Sequence, residues 1–314
     1  MPNRITDSGF KDWRPERLPG LTGKTYVITG GNSGIGLEAA RMLGRAGADI
    51  VLACRSAAKG EAAARTLAPQ CMGTVEAIEL DLASMASIRA AAKALHESKL
   101  AIDGLVNNAG IMQTPKRETR DGFELQFGTN HLGHFLWTAL MLERVEAAAG
   151  RVVTVSSIAH KMGKMDAHDL AWARGYTPSK AYFRSKLANL LFAFELDRRL
   201  TAAGARAVSI ACHPGYSNTR LQSTGPTGLT KAIYKITNPL LAQSAIAGAI
   251  PTVLAAAGTE ARRGAYYGPT GFVEARGPVG DALVADGALD EDLAGALWRA
   301  SEELVGEPFT ITVG

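Results

Sequence analysis

Short runs of apolar and β-branched residues alternate along this chain with longer stretches in which apolar residues recur at helical spacing. The apolar runs predict strands over Thr25–Thr29, Ile50–Ala53, Val75–Leu80, Gly104–Val106, Arg151–Val155 and Ala207–Ala211. The stretches between them predict helices over Ile35–Ala46, Ala57–Leu67, Met85–Leu95, Asn130–Arg144 and Ser179–Leu200. Such alternation, with almost continuously apolar strands, is typical of an α/β fold with a parallel sheet and helices on both faces. We therefore expect a doubly wound sheet with ligands at the carboxyl ends of its strands.

Proline and polar residues mark the segments outside this alternation. Pro2, Pro15 and Pro19 disfavour helix, so residues 1–22 are expected to form an irregular arm before a single domain over 23–314. No internal repeat or low-complexity linker divides that domain. Residues 216–241, rich in Gly, Thr and Pro, are expected to form a lid. A C-terminal extension begins near residue 272, as either a packed element or a dimer contact.

Composition narrows the function classes. The 314-residue chain is 46% apolar and 20% charged, as expected for a globular protein with a large core. Its net charge of +4 suits an anionic cofactor, but no dense basic run with interleaved aromatic residues points to nucleic acid. The three cysteines are expected to be free thiols, which together with the polar N-terminus predicts a cytoplasmic protein. The longest apolar stretch, 245–257, is too short to span a bilayer. His131 and His134 lack a nearby third ligand, so no metal is expected.

The segment Thr29-Gly-Gly-Asn-Ser-Gly-Ile-Gly36 directly follows the first predicted strand and opens the first predicted helix. Glycines allow the backbone to turn sharply and to approach a phosphate without Cβ atoms in the way. The free N–H groups of the first helical turn lie at the positive end of the helix dipole, which favours a bound anion. The position of this glycine-rich loop therefore predicts a nucleotide-binding site.

Polar or turn-forming residues follow the later strands. Asp81 comes after the third, Asn107-Asn108-Ala109-Gly110 after the fourth, Ser156-Ser157 after the fifth and His213-Pro214-Gly215 after the sixth. Because the carboxyl ends of parallel strands share one edge of a sheet, we expect these residues to lie near the glycine-rich loop.

Tyr182 and Lys186 are four residues apart on a predicted helix, which places both side chains on one face. A neighbouring ammonium lowers the pKa of a phenol and suits it to exchange a proton with a carbonyl or alcohol oxygen. A second Tyr-x-x-x-Lys pair begins at Tyr176. Thr177 is a good N-cap and Pro178 is favoured in a first helical turn, so the helix is expected to begin there. Tyr182 then lies within the helix, whereas Tyr176 precedes it.

Taken in order, these motifs resemble the short-chain dehydrogenase/reductase family. They are Thr-Gly-x-x-x-Gly-Ile-Gly from Thr29, Asn107-Asn-Ala-Gly110, Ser156-Ser157, Tyr182-x-x-x-Lys186 and Pro214-Gly215, and the resemblance runs from about Gly23 to Gly271. Ala53-Cys-Arg55, the stretch from Asp121 to Phe135 and Ser185-Lys-Leu-Ala-Asn189 are similar to the retinol dehydrogenase-like branch. The resemblance implies a Rossmann-type fold and a nicotinamide cofactor. In that branch the Tyr before Ser-Lys-Leu-Ala-Asn is catalytic, which agrees with the choice of Tyr182.

The resemblance implies roles for four residues. Tyr182 would be the general acid/base, and Lys186 would lower its pKa and bind the nicotinamide ribose. Ser157 would hydrogen-bond the substrate oxygen and stabilise developing charge. Asn130 would complete a proton relay by holding a water near Lys186. From the residues alone, Ser157 could instead cap a loop, and Asn130 could form local bonds in its helix.

Cofactor choice depends on the end of the second strand. An acidic residue there binds a ribose 2′-hydroxyl, whereas this chain has Arg55, whose guanidinium suits a 2′-phosphate. We therefore expect NADP(H) rather than NAD(H), with a solvated Arg55 as the alternative. The resemblance implies that Asp81 contacts adenine; from the residues alone it could instead cap the helix that begins near Ser84. The expected cofactor-binding residues are Gly30, Asn32, Ser33, Gly34, Ile35, Gly36, Arg55, Asp81, Leu82, Asn108, Ala109, Gly110, Tyr182, Lys186, Pro214, Gly215 and Thr219.

These observations predict an NADP(H)-dependent carbonyl reductase or alcohol dehydrogenase that acts on a small molecule. Leu221, Leu229 and Ile233 of the expected lid indicate an apolar substrate. Two alternatives stay open: a C=C reductase similar to the light-dependent protochlorophyllide reductases, and a non-catalytic NADP(H)-sensing regulator. The resemblance also implies a homodimer as a candidate assembly.

Overall fold

An eight-stranded sheet forms the centre of the computed structural model, which describes residues 5–166, 175–216 and 244–312. The strand order is β3-β2-β1-β4-β5-β6-β7-β8. All neighbouring strands are parallel except β8, which runs antiparallel to β7. The strands are β1 Thr25–Thr29, β2 Asp49–Cys54, β3 Val75–Glu79, β4 Gly104–Asn107, β5 Arg151–Val155, β6 Val208–Cys212, β7 Tyr266–Pro269 and β8 Val279–Asp281.

Helices cover both faces of this sheet. They are α1 Gly34–Arg45, α2 Ala57–Leu67, α3 Met85–Glu97, α4 Gly133–Ala147, α5 Pro178–Ala202, α6 Ala245–Ala257 and α7 Glu291–Val305. The first, second and sixth helices bury one apolar cluster against the sheet, and the other four bury a second cluster on the opposite face. This layering confirms the predicted doubly wound α/β fold. The order of the strands reverses between β1 and β4, which is where such sheets bind ligands.

The predicted strands and helices are all present, with ends that differ by a few residues. Among the described residues, the predictions missed two strands and two α-helices near the C-terminus: β7, β8, α6 and α7. The two strands have four and three residues, too few to show an alternating pattern. The sixth helix is apolar almost all round, so it lacks the polar face that reveals helical periodicity. A π-helical stretch, Gly128–Leu132, also precedes α4 without a clear sequence signal.

Residues 5–22 of the N-terminal arm are irregular apart from a 3-10 turn at Pro15–Arg17, but they pack closely on the domain. Trp13 and Leu21 are each 1% exposed. The Trp13 indole Nε1–H donates to Glu260 Oε2 at 2.9 Å, and its backbone N–H donates to Val279 O at 3.0 Å. The arm therefore lies along β8 and covers an edge of the sheet that would otherwise be open.

The C-terminal extension packs on the surface of α4 and α5. Trp298 and Phe309 are buried, with ring centres 4.5 Å apart. Each also meets Phe135, at 5.1 Å in both cases, and the Trp298 ring stacks on Phe192 at 5.8 Å. Of the two roles left open for this extension, the described residues show the packed element.

We predict that Trp298→Ala lowers the free energy of unfolding by about 3–5 kcal/mol, because it leaves a cavity among buried aromatic rings. Urea unfolding followed by circular dichroism measures this change. Leu304→Ala, on the same helix at a position that is 38% exposed, is the matched control and should cost far less. Equal losses in the two variants would contradict the packing role of Trp298.

Candidate active site

The glycine-rich loop forms a tight cradle between β1 and the start of α1. Gly30 has φ +66°, a left-handed conformation, and a Cβ there would lie 3.1 Å from the Ala109 Cα. A Cβ on Gly36 would lie 2.6 Å from Asn108 Nδ2, so neither position has room for a larger residue. Ser33 is extended and its side chain does not cap the helix. The first N–H groups of α1 are therefore available to an anion.

Two cavities meet at this loop and form one crevice across the carboxyl ends of the strands. Gly30, Asn32 and Ala109 line both. The second cavity, of about 460 Å³, extends to Arg55, Asp81 and Leu82. The first, of about 230 Å³, is lined by Gly30, Asn32, Ser33, Gly34, Ile35, Gly36, Asn108, Ala109, Gly110, Val155, Ser156, Tyr182, Lys186 and Pro214. The crevice thus has a Tyr–Lys pair at one end and an Arg–Asp pair at the other.

Tyr182 and Lys186 lie on one face of α5, as their spacing predicts. The Lys186 Nζ is 5.9 Å from the centre of the Tyr182 ring and donates to Val155 O at 3.0 Å. Burial lowers the pKa of Lys186 to about 8, and nearby Cys212 opposes that shift. The ammonium form therefore still predominates at neutral pH, beside the tyrosine ring.

Thr177 and Pro178 begin this helix as predicted. The Thr177 side chain accepts from the Lys180 N–H, and Pro178 occupies the first turn. Tyr176 lies outside the helix, and its hydroxyl donates to Thr114 O at 2.9 Å and lies 3.2 Å from Gln126 Nε2. The second Tyr-x-x-x-Lys pair thus places its tyrosine in a structural contact away from Lys186.

Asn130 lies in the π-helical stretch before α4 and does not bind Lys186 directly. Its Oδ1 accepts from the Ile111 N–H at 2.8 Å, and its Nδ2 donates to Ile111 O and to Ser185 Oγ, both at 2.9 Å. The side chain therefore connects the segment after β4 to the helix that carries Tyr182. These bonds are long-range, so the local bonding considered for Asn130 is wrong.

The two serines after β5 have different surroundings. Ser156 lines the smaller cavity, and its hydroxyl donates to Lys186 O at 2.7 Å. Ser157, the predicted catalytic serine, does not line that cavity; its Oγ accepts from the Ala159 N–H at 3.2 Å. That contact caps a 3-10 helix at Ile158–Met162 and leaves the Ser157 O–H hydrogen available as a donor.

The other end of the crevice holds the predicted adenosine contacts. Arg55 is exposed on the larger cavity, and within the described ranges it has no carboxylate at ion-pair distance. Asp81 Oδ1 accepts from the Ala83 N–H at 3.1 Å, and its Oδ2 lies 4.0 Å from Arg120 Nη2. Ser84, not Asp81, caps α3 by accepting from the Ser87 N–H, so the alternative role for Asp81 is wrong.

The turn after β6 brings Pro214 to the crevice beside Tyr182 and Lys186. Gly215 follows with φ +66°. Thr219 and almost all of the expected lid lie outside the described residues. No helix in the described part of the chain combines the length and apolar character needed to cross a membrane. Over those same ranges, no three His, Cys, Asp or Glu side chains are grouped as metal ligands.

Comparisons with known proteins agree with this geometry. The family model described as short chain dehydrogenase matches residues 24–227 of this chain. Human retinol dehydrogenase 13 is 41% identical over 297 residues, which cover 91% of this chain and 86% of that protein. The chain belongs to the short-chain dehydrogenase family. Human retinol dehydrogenase 14 is 38% identical over 307 residues, which cover 92% of this chain and 88% of that protein. The resemblance to the retinol dehydrogenase-like branch is thus confirmed.

Solved structures place the chain in the same family of folds. An uncharacterized protein from Mycobacterium paratuberculosis aligns with a TM-score of 0.80 at 42% identity, over 96% of this chain and 100% of that one. The Pseudomonas aeruginosa RhlG/NADP active-site complex aligns with a TM-score of 0.62 at 25% identity, over 81% of this chain and 96% of that one. This chain is therefore an oxidoreductase of the short-chain dehydrogenase family, whose members bind NAD(P)(H).

Sequence reasoning missed the structural roles of two buried side chains in this short-chain dehydrogenase, those of Thr29 and His134. The Thr29 Oγ1 accepts from the N–H groups of Asn108 and Ala109, both at 2.9 Å, and lies 2.9 Å from His134 Nε2. The last residue of β1 thereby holds the segment after β4 against the glycine-rich loop. A threonine at the end of an apolar strand gave no signal of this role.

The His134 ring extends this connection to Asn130. Its Nδ1 is 2.9 Å from the Asn130 carbonyl oxygen, which can only accept, so Nδ1 carries the hydrogen and Nε2 accepts from the Thr29 hydroxyl. That hydroxyl also lies 3.3 Å from Val106 O, and we assign its hydrogen to the shorter contact. Burial lowers the pKa of His134 to about 4, so the ring is neutral.

We predict that Thr29→Val lowers the free energy of unfolding by about 1–3 kcal/mol, because the Ala109 N–H and the His134 imidazole nitrogen lose their partner and the Asn108 N–H keeps only Val106 O. Urea unfolding at neutral pH measures the loss. The matched control is Thr25→Val, at the other end of β1, where the hydroxyl makes none of these bonds. A Thr29→Val protein as stable as the control would show that the bonds contribute little.

Proposed function

We propose that this chain is an NADP(H)-dependent oxidoreductase that interconverts a carbonyl and an alcohol on an apolar small molecule. One observation carries the proposal: the crevice that begins at the glycine-rich loop ends at a buried Tyr182–Lys186 pair on one helix face. The names of the relatives, retinol dehydrogenases, support an alcohol–carbonyl reaction. The NADP complex of the RhlG structure supports the cofactor class.

The residues of the crevice fit a dinucleotide. The uncapped start of α1 suits a diphosphate, because its N–H groups and helix dipole favour an anion there. Gly30 and Gly36 provide close approach, since a Cβ at either position would meet Ala109 or Asn108. The nicotinamide of the bound cofactor supplies or accepts the hydride. The protein residues bind and orient both reactants and move the proton.

Tyr182 is the proposed proton donor to the carbonyl oxygen, and the Lys186 ammonium beside its ring favours the resulting phenolate. Ser157 would donate its free O–H hydrogen to the same substrate oxygen, since its Oγ already accepts from Ala159 N–H. In the proposed proton relay, Asn130 would act indirectly, by joining the Ile111 segment to Ser185 on the helix that carries Tyr182 and Lys186.

NADP(H) is proposed over NAD(H) because of charge at the adenosine end of the crevice. Arg55 follows β2 directly, and no acidic residue takes the position that would bind a ribose 2′-hydroxyl. The guanidinium is exposed on the larger cavity, where a 2′-phosphate would form charge-assisted hydrogen bonds with it.

An apolar substrate is proposed because the surroundings of Tyr182 are apolar. Met112 and Ala159 are buried against its ring, and Phe183 packs on the same cluster with a ring centre 6.5 Å from that of Tyr182. A substrate whose carbonyl group reaches the Tyr182 hydroxyl would therefore place hydrocarbon, rather than a charged group, against these apolar side chains.

We predict that the purified protein oxidises NADPH in the presence of apolar aldehydes or ketones, with retinaldehyde in the panel. Tyr182→Phe should lower kcat by at least about a hundredfold, because it removes the proton donor. Loss of NADPH absorbance measures the rate. Tyr176→Phe is the matched control and should keep activity, since its hydroxyl binds Thr114 and Gln126 instead.

Activity lost in Tyr176→Phe but kept in Tyr182→Phe would show that Tyr176, and not Tyr182, is the proton donor. Tight NADPH binding with no turnover across the panel would favour the regulator. Turnover of conjugated C=C bonds alone would favour the C=C reductase.

We predict that Arg55→Ala weakens NADPH binding by about ten- to a hundredfold, because charge-assisted bonds to the 2′-phosphate are lost. The KM for NADH should hardly change, since NADH lacks that phosphate. Arg65→Ala, on α2 and paired with Glu61, removes an equal charge away from the crevice and serves as the control. Equal effects of Arg55→Ala on both cofactors would contradict the proposed contact.

A further inference from the structure

The imidazole of His213 folds back onto its own turn at the end of β6. His213 is fully buried, and its Nδ1 accepts from the backbone N–H of Gly215 at 3.1 Å. Its own backbone N–H donates to Tyr267 O at 2.8 Å, which fixes the start of the turn on β7. The side chain thus closes the turn across Pro214 in the way that an Asn or Asp side chain bonds the backbone two residues on.

This bond defines the tautomer of His213. Because Nδ1 accepts a hydrogen bond, the hydrogen of the neutral ring lies on Nε2. Burial lowers the pKa of His213 to about 3, and His160 and Lys161 act in the same direction, so the ring remains neutral. Over the described ranges Nε2 has no hydrogen-bond partner. Among those residues, the Gly215 N–H is therefore the polar contact that orients the ring.

Close packing also fixes the position of the ring. Gly268 of β7 lies so near that a Cβ there would be 2.0 Å from His213 Nε2. On the same side, the ring centre of Tyr266 is 5.2 Å from that of His213. A side chain at position 268 would push the imidazole away and break its bond to Gly215. The geometry therefore couples a glycine in one strand to a turn that follows the neighbouring strand.

The turn that His213 closes lies at the reactive end of the crevice. Pro214 lines the same cavity as Tyr182, Lys186 and Gly110. Gly215 has φ +66°, a conformation that an unsupported turn would hold only part of the time. A side-chain acceptor that satisfies the Gly215 N–H holds the turn in one conformation before any ligand binds, which reduces the ordering cost of binding.

We propose that His213 is a positioning residue that fixes the Pro214–Gly215 turn and thereby sets the affinity for the dinucleotide cofactor. The inference rests on the proposed function, because it takes the crevice to be the cofactor site. This positioning role differs from a space-filling role in one respect. Positioning requires a hydrogen-bond acceptor at the location of Nδ1, whereas a space-filling role would require only the volume of the imidazole.

The test uses the full chain and compares His213→Asn with His213→Gln. The Asn oxygen reaches the position of Nδ1 and can accept from the Gly215 N–H, whereas the longer Gln side chain places its polar group nearer that of Nε2. Fluorescence titration with NADPH should give a Kd for His213→Asn within about threefold of the wild type. The Kd for His213→Gln should be at least about tenfold higher, because the turn bond is lost.

Gly268→Ala supplies a second, independent perturbation. It should weaken NADPH binding as His213→Gln does, because the new Cβ displaces the ring. In a His213→Ala background, Gly268→Ala should cause no further loss, since the two residues act through the same contact. The KM for the carbonyl substrate, measured at saturating NADPH, should stay near the wild-type value in the single variants.

Equal NADPH affinities for the Asn and Gln variants, whether weak or strong, would overturn the inference, since acceptor position would then not matter. Wild-type affinity in Gly268→Ala would overturn it as well. Either result would leave the proposed function intact if the wild-type protein binds and oxidises NADPH. A wild-type protein that binds neither NADPH nor NADH would overturn the proposed function, and this inference with it.

Discussion

The close approach of two backbone segments at the point where strand order reverses is the constraint on which the site depends. The loop after β1 and the segment after β4 come within contact distance only because glycines at 30 and 36 leave room. The Thr29 hydroxyl then holds the two together by accepting from the Asn108 and Ala109 N–H groups. Through His134 the same connection reaches Asn130 and, from there, the helix that carries Tyr182. The glycine-rich loop and the Tyr–Lys pair are therefore parts of one hydrogen-bonded framework.

Burial determines which side chains of this framework carry a charge. The imidazoles of His134 and His213 have strongly lowered pKa values and stay neutral, so each nitrogen has a defined role as donor or acceptor. Lys186, although buried, keeps most of its charge at neutral pH and lies beside Tyr182. Among the described residues that line the Tyr182–Lys186 end of the crevice, Lys186 is the charged one, while the surrounding polar groups hold backbone segments in place. Arg55 is at the opposite end of the crevice, exposed to solvent on the larger cavity.

Local signals in the sequence account for most of the fold and for the outline of the site. Apolar strands, the glycine-rich loop and the Thr177–Pro178 helix start each have a sequence pattern within a few neighbouring residues, and the structure has each of them at the predicted position. The very short β7 and β8 and the uniformly apolar α6 have no such periodic pattern. The contacts of Thr29 with Asn108 and His134, and the packing of His213 on Gly268, join residues that are far apart in the sequence. No spacing rule along the chain reports those contacts.

A crystal structure of the NADPH complex is the most direct test of where the cofactor binds, because it locates every part of the cofactor at once. We expect the diphosphate at the start of α1, the 2′-phosphate at the Arg55 guanidinium and the nicotinamide between Tyr182 and Pro214. A nicotinamide bound away from Tyr182 and Lys186, or a diphosphate outside the glycine-rich loop, would contradict this expectation.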